Sequence, residues 1–384
     1  MFKRRSLLLL TSEFPPGPGG IGTHAHQLAV QLERMGWRIS VFGPQDYASP
    51  DEIEAFNQRQ PFQIHRALDQ PRRLGMVMGA MQAMHREQPD VALASGEHIV
   101  YLAAAMDRLR HRPWVAIEHG WIPNKHLLRM KRWAFRRADA VISVSNYSSG
   151  KLREMGVHPR RAITIWNGAD PSRFRLLPVA ERGRAREKLG IGDSKLLVTV
   201  GTVSKRKGQD VVIAAMPRIL AAHPSTHYVM AGCPDLADEL SQLAERLGVR
   251  ERVHFLGAVG NELVVDLLND ADIALLTSRH VPEGFEGFGI AVIEAALCST
   301  PSIVTANSGL VEAVVDGETG IVVPPEDPEA LAGAIDRLLA NATLRTQLGT
   351  SARERALREL TWEKVARKYA DVLDSVVEGK SVSR

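Results

Sequence analysis

The stretch VPEGFEGFGIAVIEAALCSTP, residues Val281–Pro301, decides the fold because it joins a strand to a helix through a glycine-rich turn. The apolar run Asp272–Ser278 precedes it as a predicted strand, and an apolar helical pattern begins at Ile290. Such a turn places the positive end of a helix dipole at the carboxyl end of a strand, where open parallel sheets bind ligands. The stretch therefore predicts a parallel α/β sheet with a phosphate-binding turn at this edge.

Two carboxylates frame the turn. Glu286 lies within it, and Glu294 lies one turn inside the helix that follows. Because the first N–H groups of a helix have no partner inside the helix, the turn suits an anion. The alternative is a helix whose start simply needs glycine and whose two glutamates are solvated.

Strand-like and helical patterns alternate along the whole chain, with no fixed-period repeat. In the first half the predicted strands are Leu7–Ser12, Trp37–Gly43, Phe62–Ala67, Val91–Ser95, Val115–His119 and Ala140–Val144. In the second half they are Leu196–Val200, His227–Ala231, Val253–Leu256, Ile273–Leu276 and Ser302–Thr305. This alternation predicts an α/β fold of two Rossmann-like, doubly wound parallel-sheet domains that face a central cleft.

Length and composition agree with two soluble domains. A chain of 384 residues is long enough for about two cores, and Asp170–Gly192, rich in Pro, Arg and Gly, is the predicted linker. Cys233 and Cys298 lie in apolar surroundings, which indicates core residues of a reducing compartment. The apolar run after MFKRRS ends at Leu10, too short for a signal peptide or a membrane span. We expect a cytoplasmic protein.

Charge is divided unevenly between the two halves. Residues 1–180 carry 25 Lys and Arg against 15 Asp and Glu, whereas the remainder carries 23 against 29. The segment His126–Arg137, HLLRMKRWAFRR, predicts a basic amphipathic helix that suits an anionic membrane surface. The alternative is an ordinary domain helix with Trp133 in the core and a solvated basic face. Nucleic acid is not an expected partner, because aromatic residues are few and no known reader motif is present.

Three further stretches point to ligand contacts. Gly17–Gly22 matches the dinucleotide-binding fingerprint G-x-G-x-x-G, and Asp46 lies downstream of it. Pro18 and the distance from the preceding strand argue against that fingerprint. They favour a flexible glycine loop that leads into a helix at Thr23. His119 ends a strand and is expected at the ligand edge, although a lone histidine is more often structural. The basic loop Ser204–Gly208, SKRKG, also follows a strand and suits a diphosphate.

Together these stretches resemble the retaining glycosyltransferases of family 4, which have the GT-B fold. Glu286-Gly-Phe-Gly289 with Glu294 matches the family's Glu-x7-Glu motif. The further matches lie in the family's order and span nearly the whole chain: Gly19–Gly22, His119–Gly120, Trp166–Asp170 with Phe174, Ser204–Gly208 and Val314–Leu331.

The resemblance implies three domain segments. Residues 1–175 would form an N-terminal acceptor-binding domain, and residues 176–360 a C-terminal nucleotide-sugar-binding domain. Residues 361–384, around Trp362, would form a helix that crosses back to the first domain.

The resemblance also implies a role for each motif residue. Lys207 would bind the donor diphosphate, Glu286 would face the donor sugar, and Glu294 would hold the nucleotide ribose. His119 would contact the donor sugar. The backbone of Phe288 and Gly289 would meet the distal phosphate, and Gly19–Gly20 would close over the donor.

One position departs from the family pattern. Thr202 stands where the family usually has arginine, so either Arg206 or Lys205 is expected to supply the missing charge at the diphosphate. Cys298-Ser-Thr-Pro301 replaces the usual Cys-Gly-Thr-Pro.

The function implied is transfer of a mannose- or glucose-type hexose from a nucleoside-diphosphate sugar to a glycan or lipid-linked glycan, with retention and without metal or cofactor. The membrane's inner face is an expected place of work. The alternatives are a nucleotide-sugar epimerase or phosphorylase, a hydrolase that uses Glu286 and Glu294 as an acid/base pair, and a catalytically silent nucleotide-sugar-binding protein.

Overall fold

A computed structural model describes residues 4–17, 19–44, 48–66, 72–110 and 112–379. Pro18 and Asp46, which belong to the alternative dinucleotide motif, lie outside this part of the chain. The chain divides into two compact units: unit 1 comprises residues 1–167 and 362–384, and unit 2 comprises residues 168–361. The boundary thus falls before residue 175, and Asp170–Gly192, the predicted linker, belongs to unit 2.

Unit 1 contains a parallel sheet in the order β3-β2-β1-β4-β5-β6-β7. Its strands are β1 Ser6–Thr11, β2 Arg38–Gly43, β3 Gln63–Arg66, β4 Val91–Ser95, β5 Trp114–Glu118, β6 Ala140–Ser143 and β7 Ala162–Thr164. The helices that follow these strands are α1 Gly20–Arg34, α2 Pro50–Gln58, α3 Arg72–Glu87, α4 Glu97–Arg110, α5 Lys125–Arg137 and α6 Asn146–Glu154. The central strands β1, β4 and β5 are buried along their whole length, as expected of strands covered on both faces.

Unit 2 repeats this architecture with the parallel order β10-β9-β8-β11-β12-β13. Its strands are β8 Lys195–Val200, β9 Thr226–Ala231, β10 Val253–Phe255, β11 Ile273–Leu276, β12 Ser302–Thr305 and β13 Gly320–Val323. Its helices are α7 Arg184–Leu189, α8 Gln209–Ala222, α9 Ala237–Arg246, α10 Asn261–Asp270, α11 Ile290–Leu297, α12 Leu310–Ala313, α13 Pro328–Ala340 and α14 Ala342–Glu359. The two sheets confirm the predicted α/β fold with two doubly wound parallel sheets.

The last helix, α15 Trp362–Val377, packs against α1 in unit 1. Tyr369 and His24 are both buried, and the Tyr369 hydroxyl lies 3.1 Å from His24 Nε2. Arg5, at the start of the chain, forms ion pairs with Asp374 and Glu378. These contacts tie the two ends of the described chain into one unit.

Two strands and one helix start differ from the sequence-based expectation. The strands β7 and β13 are not among the predicted ones, since β7 has three residues that are at least partly exposed and β13 begins with glycine. Helix α1 begins at Gly20 instead of Thr23, so the second half of the predicted glycine loop, Gly20–Gly22, belongs to the first turn of this helix. Gly19 precedes it with φ 142°, a backbone conformation that favours glycine.

Across the described ranges, no helix combines the length and the apolar character that crossing a bilayer requires.

Candidate functional site

The order of the strands in unit 2 reverses between its neighbours β8 and β11, whose carboxyl ends therefore form a crevice. In doubly wound sheets, ligands bind at this switch point. The basic loop Lys205–Lys207 follows β8, and the glycine-rich turn with Glu286 follows β11. The two sequence motifs thus meet at one edge of one sheet.

The basic loop is held in place by the end of β11. Lys205–Lys207 forms a single 3-10 turn, and Gly208 after it has φ 67°. Thr277, after β11, donates its hydroxyl to the carbonyl of Gly208 at 2.8 Å. The buried Gln209 side chain donates to the carbonyl of Thr202 at 3.0 Å, which fixes the other side of the loop. The loop is therefore positioned before any ligand binds.

Two of the three cations of the loop, Arg206 and Lys207, converge on one oxygen of Glu286. Lys207 Nζ donates to Glu286 Oε2 at 2.7 Å, and the Arg206 guanidinium donates to the same oxygen at 2.5 Å. The side chains of Lys207 and Glu286 are 16% and 11% exposed, so water screens this contact only partly. Two positive charges against one negative charge leave the cluster with a net positive charge.

The surroundings of Glu286 keep it ionised. Burial alone would raise its pKa, but the charges and hydrogen bonds of Lys207 and Arg206 lower the pKa of Glu286 to about 2. The carboxylate is therefore an acceptor of hydrogen bonds and not a proton donor at neutral pH. This state does not suit the acid of a hydrolytic acid/base pair.

The same geometry bears on the alternative that the sequence leaves open at Thr202. Arg206 points to the cluster, whereas the neighbouring Lys205 is exposed. Of the two candidates, Arg206 is the one placed to supply the missing charge.

Helix α11 starts directly beside this cluster. Gly289 precedes it with φ 86°, in the left-handed region that favours glycine, and a side chain there would also meet Leu310. Phe288 and Gly289 are buried, and the backbone after them enters the helix at Ile290, as the sequence predicts. The positive end of the α11 dipole therefore lies in the same turn as Glu286.

Glu294 lies inside α11 in a different electrostatic setting from Glu286. Burial raises the pKa of Glu294 to about 7, and the positive charge of Arg173 opposes that rise. Arg173 donates to the Asn261 side chain at 2.5 Å, and its guanidinium carbon lies 4.7 Å from the centre of the Phe174 ring. Arg173 was not among the residues that the sequence singled out, although it adjoins the matched Trp166–Asp170 and Phe174.

The remaining predicted residues belong to unit 1. His119 follows β5, and its Nε2 lies 2.9 Å from the Ser95 hydroxyl. Burial lowers the pKa of His119 to about 4, so the ring is neutral at physiological pH. Gly19 and Gly20, at the start of α1, are exposed.

Glu118 is the local partner of a helix residue rather than of His119. Its carboxylate accepts from Lys131 Nζ at 2.7 Å, and both side chains are buried. Lys131 lies on α5, the helix predicted as basic and amphipathic. Trp133 on the same helix is 38% exposed, so the placement of Trp133 in the core is wrong, whereas Ala134 and Phe135 are the apolar residues that this helix buries.

Among the described residues, no group of three or more His, Cys, Asp and Glu side chains is arranged to hold a metal ion.

The chain is similar to known glycosyltransferases along most of its length. A family profile described as Glycosyltransferase Family 4 matches residues 18–173, and one described as Glycosyl transferases group 1 matches residues 181–355. A GDP-mannose-dependent alpha-(1-6)-phosphatidylinositol monomannoside mannosyltransferase of Mycolicibacterium smegmatis is 29% identical over 381 residues, which cover 96% of this chain and 98% of that protein. A glycogen synthase of Mycobacterium tuberculosis is 26% identical over 406 residues, covering 95% and 94%.

Solved structures show the same fold. Sucrose-phosphate synthase from Thermosynechococcus elongatus superposes with a TM-score of 0.86 at 23% identity, covering 98% of this chain and 100% of that one. Anabaena HepE in complex with UDP and glucose superposes with a TM-score of 0.83 at 22% identity, covering 97% and 100%. The two-domain architecture is therefore of the GT-B type.

Proposed function

Because this chain belongs to the family 4 glycosyltransferases, we propose that it moves a mannose- or glucose-type hexose from a nucleoside-diphosphate sugar to a hydroxyl of a glycan or lipid-linked glycan. The mycobacterial relatives named above support this choice, since one is a GDP-mannose-dependent mannosyltransferase and another a glycogen synthase. HepE, which was solved with UDP and glucose, supports a nucleotide sugar as donor.

One observation carries the proposal: Lys207 and Arg206 converge on Glu286 at the sheet's switch point, beside the start of α11. Departure of a nucleoside diphosphate needs developing negative charge to be stabilised. Two cations and a helix N-terminus supply that stabilisation without a metal ion. The backbone of Phe288 and Gly289 would meet the distal phosphate.

The proposed step conserves the configuration of the transferred sugar. The bond between the anomeric carbon and the phosphate oxygen breaks, and the acceptor oxygen bonds to the same carbon on the same face. The acceptor's proton passes to the leaving phosphate, so no enzyme base takes it up. Glu286 stays ionised and stabilises the positive charge that develops on the sugar. We also propose, as the family resemblance implies, that the neutral His119 contacts the donor sugar and that Gly19–Gly20 close over the donor.

The experiment is a donor and acceptor screen. GDP-mannose, UDP-glucose and related donors are incubated with and without glycan or glycolipid acceptors, and the products are followed by NMR. We expect nucleoside diphosphate to form together with an α-linked product, and only when an acceptor is present. Conversion of the donor without acceptor would instead indicate an epimerase or hydrolase, and binding without any turnover would indicate a silent binding protein.

Glu294 gives the proposal a pH signature. A carboxylate accepts hydrogen bonds from the two ribose hydroxyls better when it is ionised, and the pKa of Glu294 is about 7. We therefore expect the affinity for the nucleoside diphosphate to rise as pH increases and to level off above about pH 7. Calorimetric titration over this range measures it.

The control for this prediction is Glu294→Gln, which cannot titrate. The ligand's own phosphate titrates equally with both proteins, so the difference between the two profiles reports Glu294. Parallel profiles for the wild type and the variant would refute the assignment of Glu294 to the ribose.

We further propose that α5 contacts an anionic membrane where the acceptor is lipid-linked. Arg129, Met130, Trp133 and Arg136 all lie exposed on this helix, which gives a surface with both positive charge and apolar side chains. Cations near an anionic surface are worth about 1 kcal/mol each.

This contact is tested by flotation with phosphatidylglycerol-containing vesicles at low salt. We expect Arg129→Glu/Arg136→Glu to lower binding at least about a hundredfold, since two attractions become repulsions. The control is Arg153→Glu/Arg160→Glu, the same charge change at two other exposed positions of unit 1. Equal binding by both double variants, or no binding by the wild type, would contradict the proposal.

A further inference from the structure

Unit 1 has a cavity at its own switch point. The order of its strands reverses between β1 and β4, and the residues after these strands meet there, since Ser12 N–H donates to the Ser95 carbonyl at 3.0 Å. A cavity of about 250 Å³ opens at this point. Its lining comes from the ends of β1, β4 and β5 and from α1, α4 and α5, and includes Ser12, Glu97, Tyr101, His119, Trp121 and Lys131.

The walls of the cavity are largely apolar and aromatic. Tyr101 is buried, and its hydroxyl donates to the carbonyl of Leu127 at 3.4 Å, which turns its polar end to the protein. Trp121 is half-buried, and its ring centre lies 5.4 Å from Lys131 Nζ. Aromatic side chains offer flat apolar surfaces, and the C–H faces of a sugar ring pack on such surfaces.

The cation in the lining is already satisfied by the protein. Lys131 Nζ contacts Glu118 Oε2 at 2.7 Å and donates to the Trp121 carbonyl at 2.7 Å. The other oxygen of Glu118 accepts from the N–H groups of Gly120 and Trp121. A buried pair with these bonds holds the cavity wall together and has no charge left for an anionic ligand.

Glu97 is the lining residue whose bonding is incomplete. It is the first residue of α4, and its Oε1 is buried without a hydrogen-bond partner. The neighbouring His98 Nδ1 lies 3.9 Å from this oxygen, beyond hydrogen-bond distance. Burial raises the pKa of Glu97 to about 7; the charge of Lys131 opposes that rise and the charge of Glu118 adds to it.

An unpaired buried oxygen destabilises the protein unless a ligand or water completes its bonding. A hydroxyl group fits this role, because it can donate to a carboxylate and can also accept from a protonated carboxyl. A phosphate or carboxylate does not fit, because it would face Glu97 and Glu118 while Lys131 is already paired.

We propose that this cavity binds an uncharged, hydroxyl-bearing ring of the acceptor, and that Glu97 selects it by hydrogen bonding to one of its hydroxyls. The inference rests on the proposed function, and it names the part of the acceptor that enters unit 1. Any charged group of the acceptor then lies outside the cavity. His119, which also lines the cavity, places the ring beside a residue of the proposed donor site.

Ligand-observed NMR tests the proposal with methyl α-D-mannopyranoside, methyl α-D-glucopyranoside and myo-inositol as neutral probes, and mannose 6-phosphate as an anionic one. We expect at least one neutral probe to bind and the phosphorylated sugar to bind more weakly than its neutral counterpart. Glu97→Leu, which keeps the bulk but cannot form the hydrogen bond, should lower the affinity of that probe about tenfold or more. Glu97→Gln, which keeps an acceptor and a donor, should restore part of it.

The matched control is Glu154→Leu, the same change at an exposed position of α6 that does not line the cavity. Circular dichroism confirms that each variant is folded. If Glu97→Leu does not fold, the affinity of Glu97→Gln is compared with that of the wild type instead. Equal affinity of the wild type and both Glu97 variants, tighter binding of the phosphorylated sugar, or no binding of any neutral probe would each overturn the proposal. Nucleoside-diphosphate affinity is measured in parallel and should be the same for the wild type and the Glu97 variants. If the wild type bound no nucleoside diphosphate, that result would count against the proposed function instead.

Discussion

Replacement of Lys207 by alanine is expected to lower the rate of glycosyl transfer about 10²- to 10³-fold. Lys207 Nζ lies 2.7 Å from Glu286, at the switch point where the donor diphosphate is proposed to bind. Without this ammonium group, the charge that develops on the leaving phosphate loses a partly buried partner. The measurement is release of nucleoside diphosphate from the donor that binds tightest, in the presence of its acceptor.

The chain provides a control two residues away. Lys205 is exposed, so Lys205→Ala makes the same chemical change outside the cluster and should leave the rate within about twofold. Arg206→Ala should resemble Lys207→Ala, since Arg206 contacts the same carboxylate oxygen. If Lys205→Ala were the more damaging of these substitutions, the assignment of Arg206 and Lys207 to the diphosphate would be wrong.

Replacement of Glu286 by glutamine should separate catalysis from nucleotide binding. In the free protein the Glu286 carboxylate accepts hydrogen bonds from both cations that the diphosphate is proposed to use. The diphosphate must therefore replace an anion that is already in place. We expect Glu286→Gln to bind the nucleoside diphosphate about tenfold more tightly, equivalent to about 1.4 kcal/mol.

The same variant should transfer sugar about 10²- to 10³-fold more slowly, because it lacks the negative charge beside the donor sugar. Glu283→Gln is the control, since Glu283 lies exposed in the same turn. Binding is measured by calorimetry with the diphosphate alone, which has no sugar to contact residue 286. Weaker nucleotide binding by Glu286→Gln would show that the carboxylate organises the cations rather than competing with the ligand.

The fold was accessible from sequence because parallel strands covered on both faces are continuous apolar runs. Val91–Ser95, Ile273–Leu276 and Ser302–Thr305 begin and end in the structure at the residues that the sequence predicts. The strands β7 and β13 could not be predicted, because edge strands of three or four residues have too few apolar residues to form a recognisable pattern. The start of α1 was displaced because glycine usually marks a loop, whereas here Gly20 and Gly22 lie in its first turn.

The candidate site was accessible from sequence only in part. The turn Glu286–Gly289 and the loop Ser204–Gly208 carry glycines and charges at strand ends, and such residues can be recognised from the sequence alone. Which cation reaches Glu286 depends on side-chain direction within one 3-10 turn, so the sequence could not choose between Lys205 and Arg206. The electrostatic effect of Arg173 on Glu294 acts between residues that are 121 positions apart in the chain, counted from 173 to 294.

In unit 1, too, some of the residues at the cavity could not be predicted from the sequence. Lys131 belongs to a helix whose pattern predicts a basic face, yet its ammonium group is buried against Glu118. Glu97 has no motif around it, and its unpaired oxygen becomes visible only when the neighbouring side chains are in place. Such groups are defined by three-dimensional packing, and single-sequence patterns do not contain it.

The central claim is that Arg206, Lys207 and Glu286 form a nucleoside-diphosphate-sugar site, and calorimetric titration of the wild-type protein with GDP, UDP and ADP tests it most directly. We expect at least one diphosphate to bind with one-to-one stoichiometry and Lys207→Ala to weaken this binding about a hundredfold, whereas Lys205→Ala should not. Absence of binding by all three nucleotides, or equal affinity of the wild type and Lys207→Ala, would contradict it.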